Sequence, residues 1–237
     1  MLIFGVTLIS ITNVGLLRDW KDFGGRSISE ILAEHYISVS SNSNYDQQFL
    51  TLKLQAEKSP PSFDPLPGEH PAYNLPITEE KLINTINKNM KNAPPRQDNI
   101  HAAMLKNLHE NSRSYLLALF NNIFSSNIYS LSWKTVIILP FLKPNADPTI
   151  PASYRPIAQS SVLGKLFQKI LNKRLFWYLQ SNNILSPFQY GFRKGRGTTQ
   201  PLLDLQNEIS QSSSPKSSLY SIFFDLQEAY PLSLIHI

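Results

Sequence analysis

An α+β fold is the architecture that three features of the chain favour. The composition is globular, with 42% of the 237 residues hydrophobic and 16% charged. Apolar residues recur at helical spacing in several segments, most clearly over residues 161–180. Two short apolar runs, residues 133–139 and 219–224, read as strands. Seventeen prolines against nine glycines point to many extended connections and interrupted elements.

The elements follow in order. Residues 1–17 carry no charge and many apolar side chains. They lack the basic n-region and small-residue cleavage site of a signal peptide. Thr7, Ser10, Thr12 and Asn13 interrupt them as a spanning helix. They read as a buried segment, or as an arbitrary start inside a longer reading frame; secretion is not expected. Residues 28–36 predict a short helix starting near Ser27 or Ser29, and residues 38–45 a polar turn. No single strong periodicity runs through residues 1–70. Residues 59–68 form a proline-rich linker and the best boundary in the chain.

Thr78 caps the next helix, with Glu79 and Glu80 in its first turn and Ile83, Ile86 and Met90 on one face. Residues 92–95 stop it. Asp98 is set to cap a further helix through Leu108, and residues 115–124 read as a third. The strand at 133–139 should end at Pro140, and residues 145–156 read as a proline-punctuated loop. In the longest helix, Leu163, Leu166, Phe167, Ile170, Leu171 and Leu175 form the apolar face. Phe176, Trp177 and Tyr178 are expected in the core. Lys165, Lys169 and Lys173 make a basic stripe, either a nucleic-acid track or simply the wet face. Residues 200–210 read as another helix.

Charge narrows the function classes. The net charge is +5. Residues 129–203 hold ten Lys or Arg and a single acid, Asp147, whereas the rest of the chain holds twelve basic and sixteen acidic residues. A strongly basic segment suits a polyanionic partner. The chain has no cysteine, which excludes disulfides, thiolate metal sites and thiol nucleophiles. Its five histidines show no helical ligand pair with an acid, and no Gly-x-Ser-x-Gly elbow is present.

Four motifs carry the functional reading. Pro140-Phe141-Leu142-Lys143-Pro144 and Ser153-Tyr154-Arg155-Pro156-Ile157 each present one cation. Gln189-Tyr190-Gly191-Phe192-Arg193 combines aromatic faces with a glycine that admits close backbone approach, and Lys194 and Arg196 extend it as a basic turn. Phe223-Phe224-Asp225-Leu226-Gln227-Glu228-Ala229-Tyr230 places an acid after an apolar run. A lone acid of this kind is more often a turn or cap residue; a polymerase needs one there to hold Mg²⁺.

In this order the motifs resemble the fingers and first palm strand of a non-LTR retrotransposon (LINE, jockey-like) reverse transcriptase. The resemblance runs from about Ile28 to Tyr230. It implies a truncated right-hand polymerase fold: linker over residues 1–70, then a partial reverse transcriptase domain over 71–237. Fingers would extend to about 215, and the start of the palm would occupy 216–230. It implies Asp225 as the first catalytic, metal-binding aspartate. Lys143, Arg155 and Tyr230 would bind the nucleoside triphosphate. Gln189, Gly191, Phe192, Arg193, Lys194 and Arg196 would lie along the template. Expected partners are an RNA template, a DNA primer, deoxynucleoside triphosphates and Mg²⁺, with no membrane. An endonuclease domain is expected upstream in the parent protein, and an intracellular location in cytoplasm and nucleus.

The sequence departs from the family pattern at Glu228, where lysine is usual, at Pro231, where an aspartate is usual, and at Arg96 and Gln97. No Asp-Asp pair occurs anywhere in the chain. The family's second metal-binding motif is therefore not in these residues, and the chain is not expected to polymerise alone. The alternatives are a catalytically dead nucleic-acid-binding remnant or a decayed transposon reading frame.

Overall fold

Several helix starts in this protein are set by side chains that reach back to free backbone N–H groups. A computed structural model of the chain describes residues 7–11, 27–39, 41–58, 74–90, 98–212 and 219–225. The chain divides into two compact units between Asn172 and Lys173.

In the first unit, strand β1 (Thr7–Ile11) is followed by helix α1 (Ile28–Val39). Ser27 and Glu30 form a reciprocal capping box: the Ser27 hydroxyl accepts the Glu30 N–H at 3.3 Å, and the Glu30 carboxylate accepts the Ser27 N–H at 2.8 Å. Asn44 closes the other end, its amide donating to the Ser38 and Val39 carbonyls at 2.7 Å each. Leu32 is fully buried, and α1 packs against β1 and the 3₁₀ turn Pro151–Ser153. Helix α2 (Gln47–Lys58) begins at Asp46, whose carboxylate accepts the Phe49 N–H at 2.7 Å. Its sequence signal is weak because no residue of 47–55 is fully buried, and Leu52 and Leu54 are exposed. The linker at 59–68 and the helix stop at 92–95 lie outside the described residues.

Helix α3 (Glu79–Asn89) starts at Thr78 as expected, the hydroxyl accepting the Lys81 N–H at 3.4 Å. Its inner face is Leu82, Ile86 and Met90, at strict i, i+4 spacing; Ile83 is only partly buried. Asn121 brackets Ile77 with two bonds, accepting its N–H at 2.6 Å and donating to its carbonyl at 3.0 Å.

Asp98 does not cap the helix that follows it. Helix α4 is only Ala102–Lys106. The Asp98 carboxylate instead accepts the Ile100 N–H at 3.2 Å and, 64 residues away, the Val162 N–H at 2.8 Å. It therefore satisfies the first turn of α7 (Val162–Ser181) from across the fold. Helix α5 (Glu110–Ser126) starts earlier than its apolar run, because His109 caps it through Nδ1.

Trp133 belongs to the short helix α6 (Leu131–Lys134), not to the strand after it. Strand β2 (Thr135–Leu142) runs through Pro140 instead of ending there. The sheet order is β1-β2-β3, with β1 parallel and β3 (Tyr154–Gln159) antiparallel to β2. Pro140 lies beyond the last β1 pairing, Ile11 with Ile138, and directly opposite Pro156. Two residues without N–H groups cannot exchange ladder bonds, so both fit at a non-hydrogen-bonded pair. Tyr154, Arg155 and Pro156 are accordingly strand, where the sequence suggested loop.

The core joins α3, α4, α5, α6 and the first half of α7. Phe120 and Phe167 are fully buried, with centroids 5.2 Å apart. Trp133 meets Phe120 edge-on at 6.0 Å, and Tyr129 meets Trp133 edge-on at 5.5 Å. Gly164 lets α7 approach this cluster: a Cβ there would stand 3.1 Å from the Trp133 Cβ.

The second unit runs from Lys173. α7 ends in a Schellman motif, with Asn183 at φ 53° and the Ile184 N–H donating to the Leu179 carbonyl at 3.0 Å. Leu175 and Trp177 are about half exposed, so the expected inward face does not continue past Leu171, and Trp177 is not a core residue. Helix α8 (Thr199–Gln211) has no buried residue. Residues 219–225 form no regular structure, and Tyr220, Ile222, Phe223 and Phe224 are largely exposed. The expected buried strand is thus not formed: an apolar run becomes strand only when a neighbour supplies the other half of the ladder.

Candidate nucleic-acid interface

Two groups of site residues take shape, one in each unit. In the first, the β2–β3 hairpin brings the two predicted phosphate-binding cations close. Phe141 pairs with Arg155 and Leu142 with Tyr154, so Lys143 leaves β2 beside the start of β3. The Lys143 N–H donates to the Ser153 carbonyl at 2.8 Å, and its ammonium donates to the Ala152 carbonyl at 2.8 Å. The Tyr154 hydroxyl donates to the Pro148 carbonyl at 2.8 Å and ties down the loop between the strands. Arg155 is exposed on the edge strand. Tyr36 of α1 lies close enough to Tyr154 to feel it. Burial, with Tyr154 adding to it, pushes the Tyr36 hydroxyl up to about 12.

The second group is the turn between α7 and α8. Phe192 sits at φ 59° with 94% of its surface exposed, and Gly195 at φ 76°. The ring of Tyr190 takes a different role from that of Phe192. Its hydroxyl donates to the Asp204 carboxylate, and the Arg196 guanidinium lies over its face, 5.5 Å from the centroid. The hydrogen bond to Asp204 holds the Tyr190 phenol above its ordinary range; Arg196 opposes the shift.

The arginines are partly committed within the turn itself. Arg193 donates to the Ser186 carbonyl at 2.8 Å, and Arg196 to the Pro187 carbonyl. Gln189 donates to the Gly191 carbonyl at 3.5 Å. Lys194 is exposed. Asp204 and Gln200 were not among the expected site residues. Gln200 accepts the Gly197 N–H at 2.7 Å and donates to the Gly195 carbonyl at 3.3 Å. The available signal was an acid near the start of a helix that immediately follows a basic turn.

Asp225 is described but exposed, and Tyr230 lies outside the described residues. Among the described residues no group of three or more His, Asp or Glu side chains could hold a metal ion. One carboxylate supplies at most two of the six oxygens that Mg²⁺ takes, so the described residues do not form a two-metal site. Among them, too, no helix is long and apolar enough to cross a membrane.

Comparison with known proteins accounts for this pairing of motifs. Residues 142–231 match the family model described as reverse transcriptase (RNA-dependent DNA polymerase). The chain is 32% identical over 155 residues to the probable RNA-directed DNA polymerase from transposon BS of Drosophila melanogaster. It is 29% identical over 160 residues to that from transposon X-element of the same species. It is 26% identical over 155 residues to the RNA-directed DNA polymerase from mobile element jockey of Drosophila funebris. These alignments cover 65–66% of the chain but only 17–18% of each relative. Residues 142–231 are thus similar to the reverse transcriptase (RNA-dependent DNA polymerase) family, and the chain spans less than a fifth of the length of the transposon polymerases it resembles.

Proposed function

We propose that the chain is part of an RNA-directed DNA polymerase of a non-LTR retrotransposon and supplies its fingers and the beginning of its palm. The observation that carries this is the ordered set of motifs within the matched residues 142–231. Residues 1–70 would be a linker and 71–237 the partial polymerase domain, with fingers to about 215. Lys143 and Arg155 would meet the triphosphate of an incoming deoxynucleotide, Arg155 with its planar fork and Lys143 as a point charge. Tyr230 would lie beneath the sugar. Gln189, Gly191, Phe192, Arg193, Lys194 and Arg196 would follow the RNA template, opposite a DNA primer. Asp225 would be one ligand of Mg²⁺, whose chemistry is to bridge the triphosphate and the attacking 3′-oxygen. The remaining carboxylates must come from residues other than these, since the chain holds no adjacent Asp pair. Such a parent acts inside the cell, in cytoplasm and nucleus, and would carry an endonuclease domain upstream.

A second reading keeps nucleic-acid binding and drops catalysis; the departures at Glu228, Pro231, Arg96 and Gln97 favour it. The genomic sequence downstream of the Tyr230 codon separates the two. An x-Asp-Asp strand in an open frame supports the polymerase, and its absence in every frame supports the remnant. Both readings predict that the purified chain binds RNA with an affinity that falls as salt rises. Arg193→Ala with Lys194→Ala should weaken that binding, and unchanged affinity removes the turn from the interface.

A further inference from the structure

The turn at residues 186–197 has no buried residue. Hydrophobic packing therefore does not hold it; a set of side-chain bonds does. Tyr190 donates to Asp204, Arg196 covers the Tyr190 ring and donates to Pro187, and Gln200 ties down the N–H of Gly197 and the carbonyl of Gly195. Asp204 and Gln200 both stand on α8, so the helix is the platform and the turn is strapped to it. Among the side chains left facing outward are Phe188, 79% exposed, Phe192, at positive φ and 94% exposed, and Lys194; of the two rings, Phe192 is the one that the strapped turn holds at its tip. A residue with a Cβ adopts positive φ only when its surroundings impose it.

We propose that Asp204 is a positioning residue for a single-stranded nucleic-acid site. Through Tyr190 it holds the 186–197 turn so that Phe192 offers its ring to a base and Lys194 its ammonium to a phosphate. The inference rests on the reading of this turn as a nucleic-acid contact and deepens it: the arginines of the turn shape it, while Phe192 and Lys194 engage the ligand. Base–aromatic stacking tolerates any sequence, which suits a surface that must pass every template base.

The sign of one substitution separates positioning from simple charge. Asp204 is an anion beside a polyanion site, so on charge alone its removal should tighten binding. As a positioning residue its removal should weaken it. The probe is a short fluorescein-labelled oligouridine, titrated with the whole chain across a salt series and followed by anisotropy. Asp204→Ala is expected to weaken binding about three- to tenfold, the range of one lost hydrogen bond, with the salt slope unchanged. Tyr190→Phe should do the same, and the double variant should lose no more than either single one. Phe192→Ala should cost at least about fivefold at unchanged slope. Lys194→Ala should reduce the slope by about 0.7. Without RNA, tryptic cleavage after Arg193, Lys194 and Arg196 should quicken in Asp204→Ala and Tyr190→Phe, while far-UV circular dichroism shows α8 retained.

Equal or tighter binding by Asp204→Ala overturns the proposal, as does unchanged cleavage of Tyr190→Phe. If the wild-type chain binds no oligouridine at low salt, the nucleic-acid reading falls and this proposal falls with it.

Discussion

The two units of this protein reach order by different means. Up to Asn172, α3, α5 and the first half of α7 close around Phe120 and Phe167, and caps and brackets finish the helix ends. From Lys173 onward, α8 buries nothing, and the turn before it is held by Asp204, Tyr190, Arg196 and Gln200. The first is a packed scaffold, and the second is a surface shaped by polar bonds. The template contact proposed for this turn gives it reason to be the latter. Packing that hides aromatic and basic side chains would remove them from the nucleic acid, whereas hydrogen bonds fix a shape and leave faces open.

Four measurements would break or sharpen that contrast. The largest effect should come from Phe120→Ala, which empties the middle of the aromatic cluster; a loss of about 3–5 kcal/mol is expected by denaturant unfolding. A loss below about 1 kcal/mol would mean that this core is not the main support of the first unit. Asp98→Ala should cost about 0.5–2 kcal/mol by freeing the Val162 and Ile100 N–H groups, and Asp98→Asn should recover part of it. Equal stability of all three chains would show that the long-range cap is idle.

The third test is pH. The folded state holds the Tyr36 proton more tightly than the unfolded chain, at about 12 against 10.0. Its stabilisation is therefore complete below pH 10 and is lost as pH rises through about 12. Thermal melts over that window should fall more steeply for the wild type than for Tyr36→Phe; parallel curves would show that the tyrosine is not buried as described. The smallest effect belongs to the second unit. Leu202 is 63% exposed, and Leu202→Ala should change stability by no more than about 0.5 kcal/mol. A larger loss would reveal a covered face on α8 and end the contrast.

Several elements were legible because their signals are local. Thr78 with Glu79 and Glu80 marks a helix start within one turn of chain, and a start near Ser27 or Ser29 is equally local, with the structure selecting Ser27. Leu166, Phe167 and Ile170 announce the buried stripe of α7 by spacing alone. The ordered motifs around Lys143, Arg155 and Gln189 were sufficient to indicate the polymerase family, which the matched residues 142–231 bear out. The misreadings share a cause. In the sequence Pro140 reads as a stop, but in the structure it faces Pro156, a partner that only strand register supplies. Asp98 was assigned to the nearest helix and caps a distant one. Residues 219–224 have the composition of a strand but form none, because composition does not provide the neighbouring strand.

The sequence alone determined most of the helical periods, the cap at Thr78, the basic segment and the similarity to reverse transcriptases. Each depends on residues within a few positions of one another, or on side-chain identity, so backbone geometry and chemistry suffice to express them. The tertiary structure alone decided which N–H groups Asp98 satisfies, how β2 and β3 pair through two prolines, and which side chains of the basic turn shape it and which face outward. Those outcomes depend on groups brought together from distant positions, where burial and hydrogen bonding choose among partners that the linear order leaves equivalent.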